Sequence, residues 1–382
     1  MSEHIKCPNY KKCGGCQLQN LPYERQLSFK QVKVIKLLGR YHRINEIIGM
    51  KEPYHYRNKV QAAFSERKGE IISGVYQSST HNIVPVDNCL IEDEKADQIV
   101  VTIRKLLKSF KLKPFNDNTM KGFLRHVLIK RGFVSGQIMV VLVTSVMDFP
   151  KESQFVNALL ERHPELTTIV QNVNNKRTSL VLGETSRVLF GNGYIEEKLL
   201  GFTFRISPKA FYQINPTQTE VLYSKAIEFA GLSGNEKVLD AYCGTGTIGI
   251  IASKKAGSVI GVELNGDAVK DAKVNAELNN IQNITFHKDD AGKFMVKAAE
   301  RGELFDVVIM DPPRAGASLE FLKSLVFLAP EKIVYISCNP ETQARDFSFL
   351  IRKGYKVKKI QPVDMFPHTE HVETVALLER VK

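Results

Sequence analysis

Residues 238–249 read VLDAYCGTGTIG. Val238–Ala241 has the apolar run of a buried strand, Gly244 and Gly246 mark a glycine-rich turn, and Thr247-Ile248-Gly249 opens a helix. A strand, a turn that lets backbone approach a ligand closely, and a helix form the first crossover of a nucleotide-type site. Gly244, Gly246 and Gly249 happen to satisfy G-x-G-x-x-G, so the residues downstream decide more than the glycines do. The next strand ends in GVELN and places Glu263 about twenty residues on, where a carboxylate accepts hydrogen bonds from ribose hydroxyls. NAD and S-adenosylmethionine (SAM) both carry such a ribose, and these two features leave both open.

The later strands narrow the choice. A third strand leads to DDAGKF, where Asp290 is positioned for an adenine amino group. A fourth leads to DPPRAG, with Asp311 at its tip and Pro312-Pro313 fixing the backbone beyond it. Asp-Pro-Pro at that tip resembles the methyltransferase superfamily, not the dehydrogenases, and four features in register on successive tips favour SAM. From Pro216 onward strands and helices alternate, which predicts a parallel, doubly wound sheet with ligands outside the carboxyl ends of its strands. The last two strands follow one another without a helix, so one is expected to run antiparallel.

The fifth strand ends in IVYISCNPETQ, residues 333–343. It carries Cys338 to a rigid tip beside the methyl donor, with Pro340 turning the chain away. Amino-methylating relatives follow Pro-Pro with an aromatic residue and need no thiol; here Arg314 follows and a cysteine is present. That points to carbon as the acceptor. Uracil C5 is a poor nucleophile until a thiolate adds to C6, whereupon the enolate carbon can attack a methyl group. The adduct must then lose its C5 proton to a base. Glu373, entering the final strand, is the natural acceptor; Glu370, His368 and His371 are competitors within the same tail.

The remainder of the 382-residue chain is an ordinary globular composition, 43% hydrophobic and 25% charged, long enough for more than one domain. No apolar run is long enough to span a bilayer, and MSEHIKCPNY contains nothing like a signal peptide, so a cytoplasmic protein is expected. The net charge of +12 suits a polyanionic partner. LPYERQLSFKQVKVIKLLG has helical spacing of Leu27, Val32, Ile35 and Leu38; strands with a turn near Gly69, a helix over DEKADQIVVTIRKLLKSF and a hairpin around Gly132 and Gly136 make the middle of the chain α+β. Three parts are expected: an N-terminal segment, 1–90, wrapped into a central α+β domain, 50–215, followed by the catalytic α/β domain, 216–382. Cys7, Cys13 and Cys16 form C-x5-C-G-x-C, and Cys89 lies further on in VDNCLI. Four thiolates hold either zinc or an iron–sulfur cluster, and the spacing accommodates both.

Taken together, SPKAFYQINPTQTE, LDAYCGTGTIG, MDPPRAG, ISCNPETQARD and MFPHTEHVETVALL resemble the RNA (uracil-5-)-methyltransferases, in order and along the whole chain. The resemblance implies a class I, Rossmann-like SAM-dependent domain, with Cys338 as nucleophile and Glu373 as proton acceptor. It implies SAM contacts at Gln213, Tyr242, Gly244, Thr247, Glu263, Asp290 and Asp311. Tyr242 replaces the phenylalanine of related motifs and Thr247 the asparagine of some; an aromatic face is kept at the first. It also implies a [4Fe–4S] cluster on Cys7, Cys13, Cys16 and Cys89, structural because methyl transfer to uracil is redox-neutral. Many relatives carry a small β-barrel RNA-binding domain ahead of these cysteines, and this sequence starts directly at them. With the cysteines themselves, that likens the chain to the branch acting on 23S ribosomal RNA, with a tRNA uridine as the alternative substrate and a non-catalytic RNA-binding protein as the contrasting class. A monomer is expected. Arg57, Asn58, Lys59, Arg125, His126, Lys130 and Arg131 are candidate RNA contacts, and Phe211 and Tyr212 either stack on a base or belong to the core. The target uridine must be unstacked to reach Cys338.

Overall fold

The computed structural model describes residues 5–381 apart from 79 and 81. The chain divides into two compact units. One takes the described part of Met1–Asn20 with Glu52–Lys198 and Arg205–Lys209; the other takes Leu21–Lys51, Leu199–Phe204 and Ala210–Lys382. Residues 21–51 therefore group with the C-terminal unit, not with the N-terminal segment in which the sequence pattern places them.

The first unit is built on a seven-stranded sheet. In spatial order its strands are Ile83–Pro85, Glu70–Tyr76, Lys59–Arg67, Leu124–Arg131, Ile138–Thr144, Leu166–Val173 and Thr185–Phe190. Neighbours are antiparallel except Ile138–Thr144 and Leu166–Val173, which pair in parallel across the helix Glu152–Arg162. The tight turn between the second and third strands has Lys68 and Gly69 both at positive φ, 52° and 79°, the geometry a two-residue hairpin loop requires. The core is apolar and includes Ile99, Ile103, Val127, Val140, Phe155 and Ile169.

The second unit holds the doubly wound sheet. Its order is Ile284–Lys288, Ser258–Glu263, Lys237–Ala241, Val307–Met310, Lys332–Ser337, Glu373–Arg380 and Tyr355–Val363. The first five are parallel. Glu373–Arg380 runs antiparallel to both its neighbours, so it is the inverted one of the last two strands. Lys237–Ala241 lies between Ser258–Glu263 and Val307–Met310, and the strand order reverses there, which is where ligands bind in such sheets. Among the described residues no helix is long and apolar enough to cross a membrane.

The helix Tyr23–Leu38 departs from its expected face. Its buried residues are Gln26, Lys30, Val34 and Leu38, whereas Val32 is 64% exposed and Ile35 49%. The buried stripe follows a strict i, i+4 spacing, and two of its four members are polar. Val34 and Leu38 join the core of this unit beside Leu239, Phe321, Tyr335 and Phe347.

Candidate active site

Gln213 and Glu373 apart, every residue read as a cofactor or catalytic group sits at the carboxyl end of a strand or just beyond it; Glu373 opens the inverted strand Glu373–Arg380. Tyr242 follows Lys237–Ala241 in the left-handed region, φ 65°, a conformation that costs a bulky residue energy and is held by its surroundings. Its ring lies 5.4 Å from that of Phe321. The Gly244 N–H donates to Glu263 Oε2 over 3.1 Å, and Glu263 Oε1 accepts the Asn265 N–H over 2.8 Å, tying the first turn to the second strand tip. A Cβ on Gly244 would meet nothing within 4 Å, whereas one on Gly246 would lie 2.8 Å from Phe286 Cζ. The turn is thus open at Gly244 and closed at Gly246.

Beneath the turn lies Asp240, fully buried. Its Oδ2 accepts the Gly249 N–H over 2.7 Å, and its Oδ1 has no hydrogen-bond partner among the described residues. Burial, opposed by the Gly249 bond and reinforced by Asp311 and Glu263, pushes its carboxyl up to about 8. An open backbone turn, an orphaned carboxylate oxygen and an acceptor at the second tip fit a ribose-bearing cofactor. Asp290 caps the helix Ala291–Glu300 by accepting the Lys293 N–H over 3.1 Å. Thr247 opens the helix Thr247–Ser253, its hydroxyl 3.4 Å from that of Thr245. Gln213 hydrogen-bonds to the buried Tyr223, whose hydroxyl is pushed up by burial and by the charge of Asp311. Asp311 itself is raised to about 7 by burial.

Cys338 stands between the strand Lys332–Ser337 and the helix Pro340–Arg352. Asn339 caps that helix by accepting the Glu341 N–H, and Pro340 fills its first turn, a short strand–turn–helix that leaves the thiol partly exposed. The antiparallel pairing ends with Ser337 opposite Thr374; Cys338 and Glu373 adjoin that last pair, and the Glu373 carboxylate lies within electrostatic reach of the thiol. Burial pushes the thiol up to about 11, with Glu373 and Asp311 adding and Arg314 opposing. Burial also raises Glu373 well above the carboxylate range, Asp311 adding and Arg314 again opposing. Asn339 Nδ2 and Thr342 Oγ1 both donate to the Arg314 carbonyl, over 3.1 and 3.3 Å, which pins the Pro-Pro-Arg loop to the helix behind Cys338. The competing bases are placed differently. His368 is buried with its ring Nδ1 3.1 Å from Gln26 Nε2; Glu370 is exposed; His371 is half-buried and its pKa is lowered, first by burial and then by Arg314.

Two groups at the site carry no motif. Asp240 is nonetheless in plain view, an acid inside an apolar strand, which is itself a signal. Tyr223 is an unremarkable helix position whose partner Gln213 becomes visible only in three dimensions.

In the first unit all four N-terminal thiols are free and partly exposed. Cys7, Cys13 and Cys16 lie within electrostatic reach of one another, and Cys13 and Cys16 also of Arg57 and Glu92; burial raises Cys13 and pushes Cys16 up to about 12. Burial raises Cys89, and Glu92 and Asp97 raise it further. Yet among the described residues no three His, Cys, Asp or Glu side chains are grouped so as to hold a metal ion. The four donors suit a thiolate-binding metal in kind.

Several expected RNA contacts are internal. Arg125 is buried and donates to the carbonyls of Asn174 and Lys176 and to Asp117. Lys130 is buried and donates to the Ser207 carbonyl over 2.9 Å. His126 is buried and lowered to about 4, by burial and then by Arg125, and Asn58 is buried too. Arg57, Lys59 and Arg131 are half-buried, with Arg131 paired to Asp93 over 2.5 Å. Phe211 is 63% exposed, while Tyr212 is buried.

The model of the tRNA (uracil-5-)-methyltransferase family matches residues 22–381. An uncharacterized RNA methyltransferase of Clostridium acetobutylicum is 44% identical, covering 98% of this chain and 83% of its own length. One from Bacillus cereus is 41% identical over 99% of this chain and 83% of its own. Among solved structures, the Pyrococcus abyssi tRNA (uracil-54, C5)-methyltransferase in complex with S-adenosyl-L-homocysteine superposes with a TM-score of 0.81 at 30% identity, covering 96% of this chain and 86% of that one.

Proposed function

The chain belongs to the tRNA (uracil-5-)-methyltransferase family, and we propose that it methylates C5 of an unstacked uridine in RNA, with Cys338 as nucleophile and Glu373 as proton acceptor. The observation that supports this reading is a partly exposed thiol and a buried carboxylate that adjoin the last strand pair, Ser337 opposite Thr374, within electrostatic reach of each other. The Cys338 sulfur adds to C6, and the C5–C6 π electrons move into the ring carbonyl as an enolate. SAM supplies the methyl group on a sulfonium, an electrophile that C5 can attack. Gly244, Thr247 and Tyr242 would hold it at the first turn, Glu263 at the ribose, Asp290 at the adenine, and Gln213 and Asp311 near the sulfonium end. Glu373 then takes the C5 proton, the C5=C6 bond re-forms, and the C6–S pair returns to Cys338. Arg314, which opposes the upward shifts of both Cys338 and Glu373, favours the anionic form each needs.

The ribosomal reading, 23S rRNA, follows from the resemblance in the N-terminal cysteines. A tRNA uridine is the second reading, favoured by the likeness to a tRNA-modifying structure. Incubating the protein with labelled SAM and unmodified 23S rRNA or tRNA transcripts separates the two. Transfer to neither would overturn the proposal. Cys7, Cys13, Cys16 and Cys89 are proposed to hold a [4Fe–4S] cluster, with zinc as the alternative. The support is four free thiols in one unit, three within electrostatic reach of each other and one linked to them through Glu92. Iron, sulfide and zinc assays on anaerobically purified protein decide between the metals.

A further inference from the structure

The polar stripe on the helix Tyr23–Leu38 has a destination. Lys30 and Asp364 form an ion pair of 2.5 Å with neither side chain exposed, and Lys30 Nζ also donates to the Phe366 carbonyl over 3.0 Å. The Tyr23 hydroxyl donates to the second Asp364 oxygen over 2.8 Å. Gln26 Oε1 accepts the His368 N–H over 2.8 Å. Asp364, Phe366 and His368 belong to the loop 364–372, which joins Tyr355–Val363 to Glu373–Arg380 and ends at Glu373. On the Gln213 side, Asn215 Nδ2 donates to the Met365 carbonyl and Gln218 Nε2 to that of Asp364, both over 3.0 Å.

A wholly buried ion pair is an expensive way to pack a helix, since apolar residues of the same volume are often as stabilising or more so. What charge and hydrogen bonds add is direction: they hold one arrangement of a loop that has no ladder of its own. The loop ends at Glu373, within electrostatic reach of Cys338. We propose that Lys30, acting through Asp364, is a positioning residue for Glu373, and that it serves the proton-removal half of the reaction more than capture of the uridine. This rests on the assignment of Cys338 as nucleophile and Glu373 as base. In the step concerned the C5–H bond breaks, its proton passing to a Glu373 oxygen. The released pair forms C5=C6, and the C6–S pair leaves with sulfur. A Glu373 held loosely slows this step and leaves the methylated RNA attached to Cys338.

The test compares wild type, Lys30→Met and the doubly neutral Lys30→Met/Asp364→Asn in single turnovers with labelled SAM and whichever transcript the wild type methylates. Methyl incorporation and the protein–RNA adduct on denaturing gels are followed together. The double variant leaves no unpaired buried charge, so it keeps the question open if Lys30→Met fails to fold. The expected result is methyl incorporation within about threefold of wild type while the adduct persists about tenfold longer or more, as for a base moved off its geometry. An adduct that decays at the wild-type rate in the folded double variant overturns the proposal. So do equal losses in both readouts, or a double variant that cannot fold, since each makes the pair merely structural. A wild-type protein that transfers methyl groups without any Cys338-dependent adduct would instead overturn the underlying assignment of the nucleophile.

Discussion

Cys338 and Glu373 adjoin the last residue pair, Ser337 opposite Thr374, between Lys332–Ser337 and Glu373–Arg380, the thiol partly exposed and the buried carboxylate within electrostatic reach of it. One group opens the covalent sequence and the other closes it, so their variants should fail differently. Cys338→Ala is expected to reduce methylation to background with no adduct. Glu373→Gln keeps the nucleophile and loses the base: turnover should fall about 10²–10⁴-fold while a covalent protein–RNA species accumulates. Denaturing gels with labelled RNA read both. A Glu373→Gln protein that turns over normally would move the base to another residue.

The Cys338 thiol, pushed up to about 11 by burial, Glu373 and Asp311, has Arg314 as its opposing cation. Its alkylation by iodoacetamide, followed by mass spectrometry of the peptide that carries it, should therefore rise about tenfold per pH unit below that value, because only the thiolate reacts. Arg314→Leu should raise the pKa further and slow the reaction at any pH below it. Arg314→Lys should restore much of the rate. Equal alkylation rates in all three proteins would remove Arg314 from the electrostatics of the site.

The strand tips were legible because each is a local event, an apolar run that stops at a polar or glycine-rich residue. That sufficed to put Tyr242, Glu263, Asp290, Asp311 and Cys338 at or just beyond strand tips. That Glu373 comes within electrostatic reach of Cys338 depends on an inverted strand, which no local pattern supplies. The helix Tyr23–Leu38 misled for a related reason. Its apolar residues define a face of their own, and Lys30 reads as solvated until Asp364, distant in sequence, is known to meet it. Arg125 and Lys130 misled likewise: charged residues on a strand suggest a surface, but their partners are carbonyls of remote segments. Long-range polar satisfaction is the information that composition and periodicity lack.

Asp240 makes stability depend on pH. Its pKa is raised to about 8 in the folded protein from 3.8, so between those values the folded state holds a proton that the unfolded state has lost. Stability then falls as pH rises through that window, on the order of 1 kcal/mol per pH unit at most for one group. Asp240→Asn keeps an acceptor for the Gly249 N–H and has no proton to lose. Its Tm should decline less than the wild type's between pH 5 and pH 8. Parallel Tm curves would show that the carboxyl is not raised.

Gly244 and Gly246 both have positive φ, 54° and 80°, yet alanine should act differently at each. At Gly244 the methyl meets open space, so the fold loses only about 1 kcal/mol to the backbone conformation, while the methyl takes up room in the proposed cofactor site. At Gly246 the methyl collides with the Phe286 ring, and the turn itself must move. Gly244→Ala should thus weaken SAM binding with a small change in Tm; Gly246→Ala should lower Tm markedly. Calorimetric titration with SAM and thermal unfolding separate these outcomes, and equal Tm losses would contradict the open-and-closed description of the turn.

Arg125 tests the distinction between a buried cation and an RNA contact. Its guanidinium satisfies two carbonyls and Asp117 and lies 4.6 Å above the Phe115 ring. Arg125→Ala leaves those carbonyls and the ring without their partner and should destabilise the protein by about 3 kcal/mol. Because the side chain does not reach solvent, the salt dependence of RNA binding by the folded fraction should be unchanged. Lys59 is half-buried and remains a phosphate candidate; if it contacts RNA, Lys59→Ala should reduce the slope of log K against log salt by about 1 with little loss of stability. Binding isotherms across a salt series, together with denaturant unfolding, measure both quantities. A reduced slope for Arg125→Ala would mean that RNA binding exposes a residue the free protein keeps inside.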